Sequence, residues 1–237
     1  MEDVLFSIQF HSIRKFAHLF LDKKYKMKII KVFPDSLGET IGVQPGDRLL
    51  KINGKRVQDE IDYQFRMTEE VLTLDFEISG RMEKIEIEKE YDDDLGVEFE
   101  EMKIRSCAND CVFCFVDQNP PEMRKGMYFR DGDYRMSYLH GHYITMTNMG
   151  QNELSRVVEQ RLSPLYISVH VTDIQQRQKL FLYKKDDGLL EKLKFLTDNG
   201  IELHTQIVLM PDLNDGEFLI KTLEDLYQFH PILKSCT

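Results

Sequence analysis

Three of the four cysteines, Cys107, Cys111 and Cys114, fall within eight residues in the spacing Cys-x3-Cys-x2-Cys. A secreted scaffold spreads its cysteines to staple distant segments, so this clustering points instead to metal chemistry in a reducing compartment, and a cytoplasmic location is expected. Three thiolates on one loop suit three corners of a 4Fe-4S cube. No fourth cysteine lies nearby, which would leave one iron without a cysteine ligand and free to bind a small molecule. Structural zinc is the competing reading; it normally shows paired arms or a histidine pair, and His140 and His142 are candidates only at a distance of more than twenty residues. Spacing alone leaves zinc and unliganded thiols open.

The elements around this loop alternate between strand and helix. Met102–Ser106 reads as a strand running straight into Cys107, and Tyr143–Asn148 as a second strand. Asn152 is expected to cap a helix with Leu154, Val157, Val158 and Leu162 on one face. Leu165–Val171 is a third strand, Asp173–Leu182 a helix, and Asp187–Asp198 a helix closed by Gly200. Ile201–Met210 is the fourth strand, followed by a helix with Leu219, Ile220, Leu223 and Leu226 inward. Such alternation predicts βαβ units and a parallel sheet, an α/β fold for residues 102–237.

The preceding region has a different period. Residues 27–90 are expected to form a small β-rich domain, with Asn53-Gly54 as a hairpin turn. Leu72, Leu74, Phe76 and Ile78 alternate with polar residues and pair with a strand carrying Ile85 and Ile87. Residues 91–101, with Asp92-Asp93-Asp94, read as an acidic linker, and residues 1–26 as an extension of uncertain structure. The chain of 237 residues is 42% hydrophobic and 30% charged, the balance of a globular protein. No apolar run is long enough to span a membrane, and Phe16–Leu21 is broken by His18 and followed by charges, unlike a signal peptide. A net charge of −10 argues against non-specific nucleic-acid binding.

The block KVFPDSLGETIGVQPGDRLLKINGKRV resembles PDZ domains of the bacterial type. The cysteine motif, with Phe113 before its third cysteine and a strand ahead of it, resembles that of the radical S-adenosylmethionine enzymes. Together with RLSPLYISVHVTD and IELHTQIVLMPDLNDG, these blocks are similar to radical S-adenosylmethionine proteins that carry an N-terminal PDZ domain and a C-terminal DUF512 domain. The resemblance implies a partial (β/α)6 barrel with about four of its six strands present here, and a 4Fe-4S cluster on Cys107, Cys111 and Cys114. It implies S-adenosylmethionine bound at the open iron and cleaved reductively to a 5′-deoxyadenosyl radical, with an electron donor of flavodoxin- or ferredoxin-like kind. It also implies that the family continues beyond Thr237, so the sequence reads as a truncated form expected to bind the cofactor weakly, with Ile201–Met210 left as an unprotected edge.

In such barrels the working groups lie at the C-terminal ends of the strands. Asn148 ends the second strand, Ser168 and His170 share a face of the third, and His204 and Gln206 share a face of the fourth. By the same resemblance Asn148, Ser168, His170 and Gln206 are the cofactor-binding candidates; the alternative is that such side chains bond one another or the backbone. The glycine-rich motif of many relatives is absent, and only Gly150 lies nearby. The aromatic and basic connection from Phe115 to His142 reads as a cover over the site. The PDZ-like domain implies a peptide or protein partner bound by strand addition, and peptide binding beside a non-catalytic metal is the alternative function.

Overall fold

The computed structural model describes residues 27–237, and the reading of 1–26 lies outside them. The chain divides into two units between Lys103 and Ile104. The first is built on strands β1 (Met27–Val32), β2 (Arg48–Ile52), β3 (Lys55–Arg56), β4 (Val71–Ile78), β5 (Arg81–Glu88) and β6 (Val97–Phe99). They form one sheet in the order β5-β4-β2-β1-β6, with β3 paired to β2. The hairpin between β2 and β3 is turned by Asn53 and Gly54, both with positive φ, the geometry of a type I′ turn. Asn53 Oδ1 also accepts the Thr73 N–H at 2.8 Å, tying the turn to β4. The expected alternation holds: Leu72, Leu74 and Phe76 are fully buried and face a core that includes Ile85 and Ile87. Helices α1 (Leu37–Thr40) and α2 (Glu60–Arg66) cap this core, with Asp59 accepting the Asp62 N–H at the start of α2.

Residues 91–101 are not a linker. Leu95 is fully buried in the core, and its carbonyl accepts the Gly38 N–H at 2.7 Å. The Gly96 carbonyl accepts Phe33 N–H, and β6 then pairs antiparallel with β1. Asp92, Asp93 and Asp94 are exposed, as a charge run should be, but the apolar residues Leu95, Val97 and Phe99 that follow at alternate positions have the period of a strand.

The second unit contains a parallel three-stranded sheet, β7 (Leu165–Ser168), β8 (Leu203–Gln206) and β9 (Leu233–Cys236), in that order. Around it are α3 (Tyr134–His140), α4 (Gln151–Glu159), α5 (Ile174–Phe181), α6 (Leu189–Asp198) and α7 (Gly216–Tyr227). Leu165, Ile167, Leu203 and Thr205 are fully buried on one face of the sheet, while Tyr166, Ser168, His204 and Gln206 alternate onto the other. Helix α6 turns Leu189, Leu193 and Leu196 inward as expected. Helix α4 is capped at Gly150 rather than Asn152, where Glu153 accepts the Gly150 N–H.

Three expectations fail here. The proposed strands 102–106 and 143–148 reduce to single bridges, Ser106 to Asp131 and Ile144 to Ile167. The fourth strand is not an edge: β8 lies between β7 and β9, and Cys236 belongs to β9 rather than to a tail beyond the last helix. β9 was hidden because Leu-Lys-Ser-Cys is short and carries one large apolar residue. Finally, α7 buries Thr222 and Leu226, whereas Ile220 and Leu223 are exposed. Thr222 Oγ1 accepts the Thr172 N–H, so a polar contact does part of what the leucine stripe was expected to do. No helix among the described residues is long and apolar enough to cross a membrane.

Candidate metal centre

The cysteine loop has no regular structure of its own, so its backbone is satisfied by its neighbours. Cys107 N–H donates to the Arg130 carbonyl at 2.7 Å, and Gly132 N–H donates to the Arg105 carbonyl at 3.1 Å. Gly132 approaches so closely that a Cβ there would sit 2.6 Å from Cys107 Cα and 2.8 Å from its nitrogen. On the other side, Asp110 N–H and Val112 N–H donate to the carbonyls of Phe181 and Leu180. These belong to the last turn of α5, where a helix leaves carbonyls without internal partners. Cys111 therefore lies between two residues hung from one helix end. Cys114 N–H then returns to the Cys111 carbonyl at 3.0 Å, turning the chain between the second and third thiols. Phe113, inside that turn, packs edge-on against His170 at 4.7 Å between ring centres.

Two guanidinium groups serve this loop. Arg130 bonds Asp110, Asp117 and the Asn109 carbonyl, closing the loop between Asn109 and Asp117. Arg177, on α5, is 4% exposed and pairs with Asp187 at 2.8 Å. It also donates to the Val169 carbonyl and, at 3.1 Å, to the Thr145 carbonyl, and lies 4.3 Å over the Phe181 ring. Lys192 Nζ donates to the Met146 carbonyl and Arg105 to the Asn148 carbonyl. Three cationic side chains thus hold the stretch 145–148 at the end of the Ile144 bridge, where Met146 adopts a left-handed backbone. The Cys111 thiol is pushed up to about 12, first by burial and then by the neighbouring Cys107 and Cys114; Arg177 opposes the shift. A buried, raised thiol is poor as a free nucleophile and is deprotonated when a metal binds it.

The predicted residues separate into two groups. Ser168 and Gln206 are in register on β7 and β8, on the same sheet face and at the C-terminal ends of both strands. Asn148 instead donates to the Ser106 carbonyl at 3.1 Å, fastening the chain just before Cys107. His170, 5% exposed, accepts the Val208 N–H on Nδ1 at 3.0 Å and lies among Phe113 and Phe181. His204 hydrogen-bonds Ser235 and stacks on Tyr166. His142 is bonded to Asp131 at 2.6 Å. Sequence reasoning missed Arg177, Thr145, Asn109 and Gly132. The available signal was Arg177, a charge on the core-facing side of a helix whose neighbours on that side are Leu180 and Phe181.

His170 carries a pH prediction. Burial, and then the charge of Arg177, push its pKa from 6.5 down to about 3. The folded state therefore refuses a proton that the unfolded chain accepts. The contribution is intact above the unfolded value and is lost as pH falls below it, with a slope of at most about 1.4 kcal/mol per pH unit. Between about pH 7 and about pH 5, urea unfolding should show this unit losing roughly 2 kcal/mol, and His170→Gln should remove most of that dependence. An unchanged slope in the variant would show that other groups cause it.

Among the described residues, no group of three or more His, Cys, Asp or Glu side chains is already drawn together to hold a metal. The donor chemistry nevertheless fits an iron–sulfur group: three half-buried thiols on one loop with cations behind it.

The second unit thus presents a parallel sheet flanked by helices, with the three-cysteine loop hung from the end of α5. The model of the Radical SAM-like domain family matches residues 89–236, and that of the PDZ domain matches residues 29–78. The chain belongs to the radical SAM-like family and carries a PDZ domain ahead of that domain. Among solved structures it is similar to the PDZ domain of the SdrC-like protein from Listeria innocua, at 13% identity over 33% of this chain and 97% of that one, with a TM-score of 0.29. No curated protein matches it.

Proposed function

We propose that Cys107, Cys111 and Cys114 hold one 4Fe-4S cluster whose fourth iron is left open for S-adenosylmethionine, within a partial (β/α) barrel. The observation that carries this reading is the trio of thiols on a loop fastened at both ends beside parallel strand ends, in a chain of the radical SAM-like family. When bound, such a cluster with its cofactor supplies one-electron reductive cleavage of the sulfonium. The chain's own residues do the rest. Gly132 and the α5 carbonyls set where the thiols stand. Phe113, His170 and Phe181 make an apolar wall that excludes water. Arg130 and Arg177 place positive charge beside sulfur that must be deprotonated to bind metal. Ser168 and Gln206 are the strand-end groups that contact the cofactor, while Asn148 and His170 position the backbone around it. The electron comes from a flavodoxin- or ferredoxin-like donor in the cytoplasm.

Anaerobic reconstitution tests this. The protein should take up about 4 iron per chain with a broad visible absorption. Cys107→Ala, Cys111→Ala or Cys114→Ala should each abolish loading, and Cys236→Ala should leave it intact, since Cys236 is exposed at the end of β9. A requirement for Cys236, or indifference to one of the three, would overturn the assignment.

A second reading concerns the PDZ domain. β6 is an edge strand carrying Val97 and Phe99, with Phe99 edge-on to Tyr63 of α2 at 5.0 Å. An extended peptide can add to such an edge. A protein that stays colourless after reconstitution yet retains peptides through this edge would favour binding as the function.

A further inference from the structure

Asn109 lies two residues after the first cysteine and is 5% exposed. Its Nδ2 donates to Thr145 Oγ1 at 3.0 Å, and its backbone carbonyl is held by Arg130 at 3.1 Å. The residue is therefore held both by its backbone and by its side-chain nitrogen. The carboxamide oxygen, Oδ1, is buried and has no hydrogen-bond partner among the described residues. An orphaned buried acceptor is destabilising, and folded proteins keep few of them without a reason. The surroundings suggest the reason. Thr145 Oγ1 also lies 3.0 Å from Thr147 Oγ1 and 4.0 Å from Cys107 Sγ. A cysteine sulfur, two hydroxyls and one amide thus gather at the end of the Ile144 bridge, where the backbone carbonyls of 145, 146 and 148 are already occupied by cations.

We propose that Asn109 Oδ1 is a cofactor-binding group that accepts a hydrogen bond from an amino or hydroxyl group of the small polar molecule held at the cysteine loop. The chemistry limits what that partner can be. Thiolates and bridging sulfides accept hydrogen bonds and donate none, so the oxygen cannot be satisfied by a cluster's sulfur. It needs a molecule that brings N–H or O–H, as the amino acid and ribose portions of S-adenosylmethionine do. The proposal rests on the cofactor reading above and adds to it a contact on the cysteine loop itself, apart from the strand-end residues.

Two near-isosteric variants separate the roles of the carboxamide. Asn109→Asp keeps an acceptor, which the Thr145 hydroxyl can also satisfy by donating; Asn109→Leu keeps the bulk and removes both functions. Wild type and variants are loaded with iron anaerobically and their S-adenosylmethionine affinity is measured by equilibrium dialysis, with thermal unfolding of the metal-free proteins alongside. All three should load the same iron. The Asp variant should bind within about threefold of wild type and the Leu variant at least about tenfold more weakly, the size of one lost hydrogen bond to a buried acceptor. The metal-free Leu variant should unfold at the wild-type temperature or above, because the orphaned oxygen is gone. Wild-type affinity in the Leu variant overturns the inference alone. So does equal weakening in Asp and Leu, which would make the amide a donor, or weaker binding that merely follows a loss of stability. A wild type that retains no S-adenosylmethionine overturns both this inference and the reading beneath it.

Discussion

Gly132→Ala should disable the cysteine loop without touching a cysteine. The added Cβ would stand 2.6 Å from Cys107 Cα and 2.8 Å from Cys107 N, both backbone atoms that no rotamer change can move aside. The loop is pinned there on both sides, by Cys107 N–H to Arg130 and Gly132 N–H to Arg105, so relief requires breaking that pairing. Overpacking of this kind costs about 1–3 kcal/mol, and here it is relieved by displacing Cys107, the first of the three thiols. Iron uptake on reconstitution should fall by more than about half while the fold survives. Gly126 is the control: nothing lies within 4 Å of a Cβ placed there, and Gly126→Ala should change stability by less than about 0.5 kcal/mol. Normal iron uptake by Gly132→Ala would mean that Cys107 does not need the position the backbone gives it.

The second large effect is expected at Arg177. Its guanidinium and the Asp187 carboxylate are each almost completely removed from solvent. Arg177→Met leaves Asp187 buried and unpaired, and removes the bonds to Val169 and Thr145 that join α5 to the end of β7 and to the residue after the Ile144 bridge. Breaking a buried pair from one side costs about 3–5 kcal/mol. The double variant Arg177→Met, Asp187→Leu should recover much of that loss, because the stranded charge is gone. Denaturant unfolding of the four proteins of this cycle gives the coupling directly. A loss under about 1 kcal/mol in the single variant would show that water reaches the pair.

How far the sequence alone could go depends on what kind of interaction holds each part. Where burial is periodic, it is legible: Leu72, Leu74 and Phe76 on one strand, Leu189, Leu193 and Leu196 on one helix, and the Asn53-Gly54 turn whose φ angles follow from residue type. The cysteine loop is legible for a similar reason, since three cysteines so close in sequence share one loop whatever the rest of the fold does. The opposite holds for residues 102–106 and 143–148. Their apolar content suggests strands, yet what fixes them is a set of long-range polar bonds, Asn148 to Ser106 and Arg105 to Asn148, that no local pattern announces. Residues 91–101 mislead because three aspartates outweigh Leu95, Val97 and Phe99 in a short window. Among the candidate site residues, Ser168 and Gln206 stand where strand alternation places them. His170 does not: its chain leaves β7 in a left-handed turn at φ 61°, and its imidazole accepts the N–H of Val208 just beyond β8. Arg177 and Asn109 are tertiary by nature, since each is tied to Thr145, more than thirty residues away along the chain.

The most direct test of the central claim is the electron paramagnetic resonance spectrum of the reduced, iron-loaded protein with and without S-adenosylmethionine. Three cysteines leave one iron to be completed by another ligand, so adding the cofactor should change the spectrum of the cluster, and that change should vanish in the Cys107, Cys111 and Cys114 variants with the cluster itself. A spectrum unaffected by S-adenosylmethionine, or a protein that binds no iron at all, would contradict the account.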